Sequence, residues 1–368
     1  MKNKNAVLKI LAELCRLLIG VVFIFSGFVK AVDPMGGAIK IGEYLASFGL
    51  DMLQPFTVLL SFNLSAIEFA LGVCMLLGVY RRYVSFLILI FMAFMTPLTL
   101  YLALFDPVSD CGCFGDALVI SNWETFFKNI VLSLAAIVTF IYNQRLFQCF
   151  TFRAYWFVAL YAYLFGVGFA YYNYNHLPVI DFRPYKIGAN IPKLMEMPEE
   201  APQDEYKYTF VYEKDGVKKE FSLEDYPAND SSWTFVDSKT ELVKKGYQPP
   251  VAAFNIYNGK GDDVTEEIIG NPGPVLLLVA PKLEEADDEQ MDEINGVYDY
   301  ALEHDIPFYC VTGSSPEAID TWSDNTGAEY PFRMADEVLL KTIIRSNPGL
   351  VLLLSLIHIS EPTRPEPI

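Results

Sequence analysis

Five long apolar segments in the first half of the chain constrain its fold more than any other feature. They cover residues 11–29, 56–79, 83–105, 125–142 and 155–172. A helix of about 20 apolar residues crosses the roughly 30 Å hydrocarbon core of a bilayer. Inside that core, only helices or closed barrels satisfy every backbone hydrogen bond. The sequence therefore predicts an all-α membrane bundle of four helices plus a fifth transmembrane helix, with the lipid bilayer as its surroundings.

Charge divides the chain into two unlike parts. Residues 1–174 carry 11 Lys/Arg and 9 Asp/Glu, whereas the remaining 194 residues carry 16 and 36. A near-neutral apolar half followed by a strongly acidic half excludes one uniform globule. The acidic half also repels phosphate, so nucleic acid is not expected as a partner.

The loop charges predict the orientation of the helices. Seven Lys/Arg lie at the N-terminus or in loops on the same side, namely Lys2, Lys4, Lys9, Arg81, Arg82, Arg145 and Arg153. The opposite loops hold only Lys30 and Lys40. Positively charged loops stay in the cytoplasm. The N-terminus is therefore predicted to be cytoplasmic, in a multi-pass protein of the inner (cell) membrane. Everything after Tyr174 is predicted to lie outside, in the periplasm of a Gram-negative cell. The first segment lacks a small-residue cleavage site, which indicates an uncleaved anchor.

The acidic half begins with a linker and a hairpin and then becomes α/β. Residues 195–205 are rich in Pro and Glu, and residues 206–212 and 217–221 alternate around Asp215-Gly216, which predicts a β-hairpin. Apolar runs predict strands at 275–280, 306–312 and 350–354, and helical spacing predicts helices at 287–304, 315–325 and 335–345.

The C-terminal tail does not follow this pattern. Residues 354–368 show no periodicity that continues the sheet, and they resemble the translation of a sequencing-library transposon adapter. We therefore expect the α/β region to be truncated and to expose an edge of its sheet.

The most specific motif is the string from Asp110 to Asp116, Asp-Cys-Gly-Cys-Phe-Gly-Asp, between the third and fourth segments. Gly112 has the backbone freedom that a tight ring between Cys111 and Cys113 requires. Such a disulfide would be strained and easily exchanged. Asp110 and Asp116 should disfavour a thiolate, unless Lys30 or Lys40 folds over the loop. The alternatives for Cys111 and Cys113 are a redox pair, a structural disulfide that holds the loop, and a metal site, for which two cysteines alone are a poor ligand set.

Glu68 is a second candidate, because an ionisable group in the middle of a membrane helix is expected to be functional. It could relay protons, or it could be a protonated carboxyl that hydrogen-bonds another helix, for example at Thr96. The other four cysteines are expected to play no part in the chemistry. Cys15, Cys74 and Cys310 are interpreted as core residues, and Cys149 as a reduced thiol in a cytoplasmic loop.

Residues 8–142 resemble the DoxX/MauE membrane family. The resemblance rests on Gly-Phe-Val-Lys-Ala-Val-Asp-Pro in the first segment, on Glu68 and Gly72 in the second, and above all on the cysteine loop. It implies a four-helix membrane bundle related in architecture to vitamin K epoxide reductase. MauE-type members are associated with the maturation of periplasmic amine dehydrogenases through disulfide formation. No other feature of this sequence points to methylamine.

Residues 273–353 resemble a thioredoxin-like domain. Besides the order of elements, the resemblance rests on Asn347-Pro348-Gly349 before the last apolar strand, where Pro348 would occupy the cis-proline position. This sequence departs from the family where a Cys-x-x-Cys should follow the first strand. It has Pro281-Lys282-Leu283-Glu284 there instead. The resemblance thus implies a docking or shielding domain without its own redox thiols.

These observations give a single interpretation with defined alternatives. The expected divisions are a four-span bundle at 1–150, the fifth helix at 151–180, a linker and hairpin at 181–270, a truncated thioredoxin-like domain at 271–353 and the tail at 354–368.

The candidate catalytic residues are Cys111, Cys113 and Glu68, and the candidate structural loop residues are Gly112, Asp110, Asp116 and Pro348. The hypothesis is thiol–disulfide exchange with an extracytoplasmic protein partner, with electrons passed to a membrane quinone. The alternatives are a non-enzymatic scaffold and a Glu68-dependent permease, although no inverted repeat supports the permease.

Overall fold

The computed structural model describes residues 2–105, 108, 111–196, 205–214, 217–222, 233–244, 254–354 and 357–361. Its first half is helical, with α1 (Lys2–Val32), α2 (Pro34–Ser47), α3 (Thr57–Leu77), α4 (Arg81–Phe105), α5 (Asn122–Ile141) and α6 (Tyr155–Asn175). Within the described residues, four helices are long and apolar enough to cross a membrane: Asp51–Leu77, Arg81–Phe105, Asn122–Ile141 and Phe152–Asn175. These four helices coincide with the last four of the five predicted spans. The first predicted span lies within α1, which is not among these four helices.

Small residues set the packing around α3. A side chain at Gly27 of α1 would place its Cβ 2.4 Å from the backbone nitrogen of Phe69, and one at Gly72 would place it 2.6 Å from that of Ile24. Close backbone approach through small residues is the usual way in which membrane helices associate. Helix α6 packs against α3 as well, with Gly166 directly against Ala66. Helix α3 therefore occupies the middle of the bundle.

Helix α2 was not predicted, because residues 30–55 had been interpreted only as a loop. Asp33 caps its N-terminus by accepting a hydrogen bond from the Gly36 N–H (2.9 Å), and Pro34 occupies its first turn. The Pro34 carbonyl in turn accepts a hydrogen bond from the Ser61 hydroxyl of α3 (2.7 Å). These contacts fold the segment back onto the bundle as a helix.

Helix α5 begins at a reciprocal pair of hydrogen bonds between Ser121 and Glu124. The Ser121 hydroxyl accepts a hydrogen bond from the Glu124 N–H, and the Glu124 carboxylate accepts one from the Ser121 N–H (3.0 Å). This reciprocal pair is a capping box. It fixes the end of the loop that carries the two cysteines.

The acidic half starts with a short helix, α7 (Ile191–Met195), and an antiparallel sheet. The strands are β1 (Glu205–Lys214), β2 (Val217–Ser222) and β3 (Thr234–Lys244), in the order β2-β1-β3. The predicted hairpin is confirmed, although its turn at 215–216 and the linker at 197–204 lie outside the described residues. Strand β3 was not predicted, because its apolar residues are grouped at its two ends rather than alternating along it.

A mixed sheet of five strands forms the rest of the described acidic half. Its elements are α8 (Thr265–Ile269), β4 (Pro274–Ala280), α9 (Met291–Glu303), β5 (Phe308–Thr312), α10 (Pro316–Thr326), β6 (Phe332–Met334), α11 (Glu337–Ile343), β7 (Gly349–Leu354) and β8 (Ile357–Glu361). The order is β6-β5-β4-β7-β8, with β4, β5 and β6 parallel and β7 and β8 antiparallel to their neighbours. Every predicted element is present. The short strand β6 was missed because three residues carry no periodic signal.

The strand β4 is buried on both faces of this sheet. Val275, Leu277 and Val279 contribute to one apolar cluster, whereas Leu276 and Leu278 contribute to the other. This arrangement explains the unbroken apolar run in the sequence, which is typical of a central strand.

The expectation that the tail does not continue the sheet is wrong for residues 357–361. They form β8, which pairs antiparallel with β7 through Leu352 and Ile359. Backbone groups on an open strand edge can pair with any extended segment, so pairing does not require a periodic sequence. The edge of β7 that was expected to be exposed is therefore covered. Residues 355–356 and 362–368 lie outside the described residues.

Candidate thiol site

The two cysteines of the loop between α4 and α5 lie within bonding reach of each other. The Sγ atoms of Cys111 and Cys113 are 2.8 Å apart, and both residues are free thiols. Gly112 between them has φ +63°, in the left-handed region that glycine adopts at no steric cost. The predicted role of Gly112 in a tight Cys-Gly-Cys turn is consistent with this geometry.

The pair is buried beneath α2, with 7% of Cys111 and 9% of Cys113 exposed. The Tyr44 hydroxyl donates a hydrogen bond to the Cys111 carbonyl (2.8 Å). The Lys40 side chain lies over Gly112, since a Cβ there would be 3.2 Å from its Cγ. The cysteine loop is thus covered by a helix that sequence patterns did not reveal.

Glu68 is brought to the same place by α3, and only 2% of it is exposed. The Lys30 ammonium of α1 lies 2.7 Å from both carboxylate oxygens. The Ser26 hydroxyl lies 2.7 Å from Glu68 Oε2 and 2.8 Å from the Cys113 carbonyl oxygen. Glu68 is therefore connected to the cysteine loop through one side chain. The suggested contact with Thr96 is wrong, because that hydroxyl is hydrogen-bonded to Ser133 (2.7 Å).

A small cavity of about 30 Å³ lies where these groups meet. Its polar lining consists of Ser26, Lys30, Glu68, Lys128 and Asn129, and Cys113 forms part of its wall with several apolar side chains. A volume of this size holds about one water molecule. Lys128, on α5, also lies over the Phe114 ring, 4.1 Å from its centroid. Sequence reasoning missed Ser26 and Lys128, although a lysine one turn into an apolar span was a usable signal.

The electrostatic surroundings make the two thiols unequal. The hydrogen bond from the Cys111 thiol lowers the pKa of Cys113 to about 6; burial opposes this, and the charges of Lys128 and Lys30 add to it. The same hydrogen bond, together with burial, raises the pKa of Cys111. The aspartates were expected to disfavour a thiolate unless Lys30 or Lys40 folded over the loop, and the Lys40 side chain does lie over it. Asp110 lies outside the described residues.

The C-terminal region contacts the cysteine loop through Arg345, which follows α11. Its guanidinium lies 2.6 Å from Asp33 Oδ2 and 3.7 Å from Asp116 Oδ2. Burial favours a higher pKa for Asp33, but the charge and hydrogen bonds of Arg345 outweigh it and lower that pKa. Asp116, expected to act on the cysteines, instead faces this arginine.

Two clefts separate the C-terminal region from α2. The larger, about 820 Å³, is lined by α2 residues on one side and by Pro281, Lys282 and Pro348 on the other. The smaller, about 210 Å³, reaches Gly112 and includes Lys30 in its lining. The peptide bond between Asn347 and Pro348 is cis, as the sequence predicted for Pro348.

The remaining cysteines lie in other surroundings. Cys310 is fully buried in β5, where burial raises its pKa, and Cys149 is exposed. Cys74 is buried among the apolar residues of the bundle, and Cys15 packs against that cluster. Within the part of the chain that the structure describes, no three His, Cys, Asp or Glu side chains come together as a metal site.

Four apolar helices, with a buried ion pair and a thiol pair at one end of their bundle, define a polytopic membrane protein. Its bundle matches a known family: the family model for methylamine utilisation protein MauE matches residues 8–142, from α1 to the end of α5. Over these residues the chain is similar to MauE-type membrane proteins. The model for a domain of unknown function, DUF8463, matches residues 206–245, which span β1 to β3. No curated protein and no solved structure matches the chain.

Proposed function

We propose that this membrane protein exchanges disulfides through Cys111 and Cys113. The observation that carries the proposal is the 2.8 Å separation of the two sulfur atoms at a site where Lys30, Glu68 and Lys128 meet. Burying charged groups inside a membrane bundle is costly, and such groups commonly serve a function. A loop that needed only stiffening would not require them.

The exchange balances within the two reacting pairs. A partner thiolate attacks the oxidised Cys111–Cys113 disulfide, so that a mixed disulfide forms and the other cysteine leaves as a thiolate. A second partner thiol then attacks the mixed disulfide. The partner gains a disulfide, and the protein is left with two reduced cysteines. Glu68 and Lys30, joined to the Cys113 carbonyl through Ser26, are placed to exchange a proton with the reacting site.

A membrane quinone is the electron acceptor that the hypothesis from the sequence includes. The cavity beside Cys113, at about 30 Å³, is too small for a quinone ring. The residues around it therefore do not fit that group in this structure, and the proposed reaction contains no step through a quinone.

The proposed topology has five membrane spans, with α1 as the first. The close glycine-mediated packing of α1 on the membrane helix α3 supports this assignment. The loop charges support a cytoplasmic N-terminus and an acidic half outside the inner membrane. Cys149, an exposed thiol after α5, reports the topology directly. A membrane-impermeant maleimide should label it only after the cytoplasmic side of the membrane is opened. Labelling of Cys149 in intact spheroplasts would instead indicate the opposite orientation.

The division of the chain is proposed along the same lines as the sequence suggests: 1–150, 151–180, 181–270, 271–353 and 354–368. A thioredoxin-like fold for 271–353 is supported by the parallel β4–β5 pair, the antiparallel β7 and the cis bond at Pro348. With Pro281 and Lys282 where redox cysteines would stand, this domain would dock or shield a partner rather than exchange thiols.

Burial of the thiol pair favours a second candidate. Beneath α2, the pair could simply fasten the loop to Tyr44 in a scaffold whose C-terminal region binds an envelope protein. Exchange then requires α2 or the C-terminal region to move aside, whereas a staple requires no motion.

Single-turnover oxidation of a dithiol peptide separates the two candidates. Protein with an oxidised pair, reconstituted in lipid vesicles, should convert about one equivalent of peptide dithiol to disulfide. The Cys111→Ala/Cys113→Ala double variant, which keeps the other four cysteines, is the matched control. Equal peptide oxidation by both proteins would leave the scaffold as the function.

A further inference from the structure

We infer that the two thiols have fixed and different roles: Cys111 receives the partner in the mixed disulfide, and Cys113 is the leaving thiolate held by Lys128 and Lys30. This assignment rests on the proposed exchange and specifies its direction. It concerns which sulfur is attacked, a choice that neither the pairing of the cysteines nor the family match determines.

Access is the first argument. Cys113 lines a cavity inside the bundle whose volume of about 30 Å³ cannot admit a peptide, whereas Cys111 is not part of its lining. Both cysteines pack against Leu102, but Cys111 is the one held to α2, because the Tyr44 hydroxyl donates a hydrogen bond to its carbonyl (2.8 Å). Displacing α2 uncovers Cys111, while Cys113 remains enclosed by α1, α3, α4 and α5. A partner thiol can therefore reach the Cys111 sulfur first.

Charge is the second argument. When a partner sulfur bonds to Cys111, the bond to Cys113 breaks and its electron pair stays on the Cys113 sulfur. Four ionisable groups surround that sulfur: Lys30 from α1, Glu68 from α3, Lys128 from α5 and Cys111 from the same loop. Helix α2 adds Lys40, which lies near Gly112, and Tyr44, which contacts Cys111. Glu68 is neutralised by its ion pair with Lys30 (2.7 Å). Lys128 therefore provides the cation most directly available to the leaving thiolate, since it lowers the pKa of Cys113 more than Lys30 does.

Leaving-group chemistry makes the assignment consistent. In thiol–disulfide exchange, the thiol of lower pKa leaves faster. Lys128 and Lys30, which line the cavity beside Cys113, stabilise a thiolate there and therefore favour the same direction of attack as access does. Lys128 acts through Cys113, so it is a positioning residue rather than a catalytic one.

Adduct mapping tests the assignment on the intact chain. Oxidised protein in membranes is treated briefly with glutathione, quenched in acid, alkylated and digested, and the modified cysteines are identified by mass spectrometry. We expect glutathione on Cys111 and alkyl label on Cys113 in at least a tenfold excess over the reverse. An excess of glutathione on Cys113 would overturn the assignment while leaving the exchange intact. Absence of glutathione from both cysteines would overturn the proposed function and the assignment with it.

Alkylation of the reduced pair across a range of pH tests the role of Lys128. Lys128→Met should raise the pH of half-maximal alkylation at Cys113 by about one unit, because an adjacent positive charge is removed. Lys128→Arg should restore most of the shift, and Lys260→Met, an exposed lysine in a remote turn, should leave it unchanged. A Lys128→Met profile identical to that of Lys260→Met would overturn the role of Lys128, since a merely structural lysine would not move this titration.

Discussion

The helix bundle and the C-terminal sheet bury different kinds of side chain. The bundle buries Arg16 and Glu68, each with an ionic partner, whereas the buried polar residues described around the sheet are hydroxyl side chains such as Thr312 and Ser314. The two regions also bury cysteines with opposite properties. Cys310 in the apolar sheet has a raised pKa, and Cys113 beside two lysines has a lowered one. The surroundings of a thiol, rather than its burial, determine whether it can react.

The largest expected effect comes from breaking the buried ion pair of the bundle. Lys30→Met leaves the Glu68 carboxylate buried without its cation, which should cost about 3–5 kcal/mol in the free energy of unfolding. Thermal unfolding in detergent measures the loss. Lys40→Met, which removes the partly exposed pair with Glu43, is the matched control and should cost less than about 1 kcal/mol. Similar losses in the two variants would mean that Glu68 does not depend on Lys30.

A cavity in the sheet should destabilise the C-terminal region without changing the thiols. Leu278→Ala removes a fully buried side chain of β4 and should cost about 2–5 kcal/mol. Leu302→Ala, at an exposed site, should cost less than about 0.5 kcal/mol. The alkylation profile of Cys113 should be unchanged in both variants below the unfolding temperature. A shifted profile in Leu278→Ala would show that the sheet and the thiol site are not energetically separate.

The contact between the two regions depends on Arg345. Arg345→Ala removes charge-assisted hydrogen bonds to Asp33, worth about 1.5 kcal/mol, and should speed alkylation of the reduced Cys111–Cys113 pair about tenfold. Lys341→Ala, which breaks an exposed pair with Glu337, is the control. An unchanged rate in Arg345→Ala would mean that the C-terminal region does not limit access to the thiols.

The same contact should depend on pH in one direction. Because Arg345 lowers the pKa of Asp33, its contribution is complete above the ordinary aspartate value of 3.8. It is lost as the pH falls through the lowered value, when Asp33 becomes protonated. Alkylation can be slow at such pH, so proteolysis of the C-terminal region provides the readout. The Asp33→Asn variant should show no such acid transition.

The smallest effect is expected at Asp116. Its carboxylate lies 3.7 Å from Arg345 and is partly exposed. Asp116→Asn should therefore change the free energy of unfolding by less than about 0.5 kcal/mol and the alkylation rate by less than about twofold. A tenfold change in the alkylation rate would return Asp116 to the role first considered for it, as a residue that acts on the cysteines.

The sequence predicted the elements whose apolar residues form long runs or a regular pattern. Apolar runs located four membrane helices and the central strands, because burial on all sides leaves an unbroken apolar pattern. The elements it missed are α2, α7, α8, β3 and β6, and apart from α2 these are short or lack regular alternation. The backbone pairing of β8 likewise follows from an available strand edge rather than from side chains.

The candidate site was predicted only in part, for a physical reason. Cys111, Cys113 and Glu68 carried recognisable signals, as a spaced thiol pair and as a charge in an apolar helix. Their relationship depends on tertiary contacts: Lys128 comes from α5, and α2 covers the loop. No local pattern records those distances, so the sequence left open whether the nearby aspartates or a lysine folded over the loop would determine the state of the thiols.

The redox potential of Cys111–Cys113 in intact membranes tests the central claim most directly. Equilibration in graded thiol buffers, followed by alkylation, gives the fraction of the pair that is reduced at each potential. A pair that works as an exchangeable disulfide should titrate at roughly −120 to −200 mV. A pair that stays oxidised below about −300 mV would be a structural staple and would contradict the account.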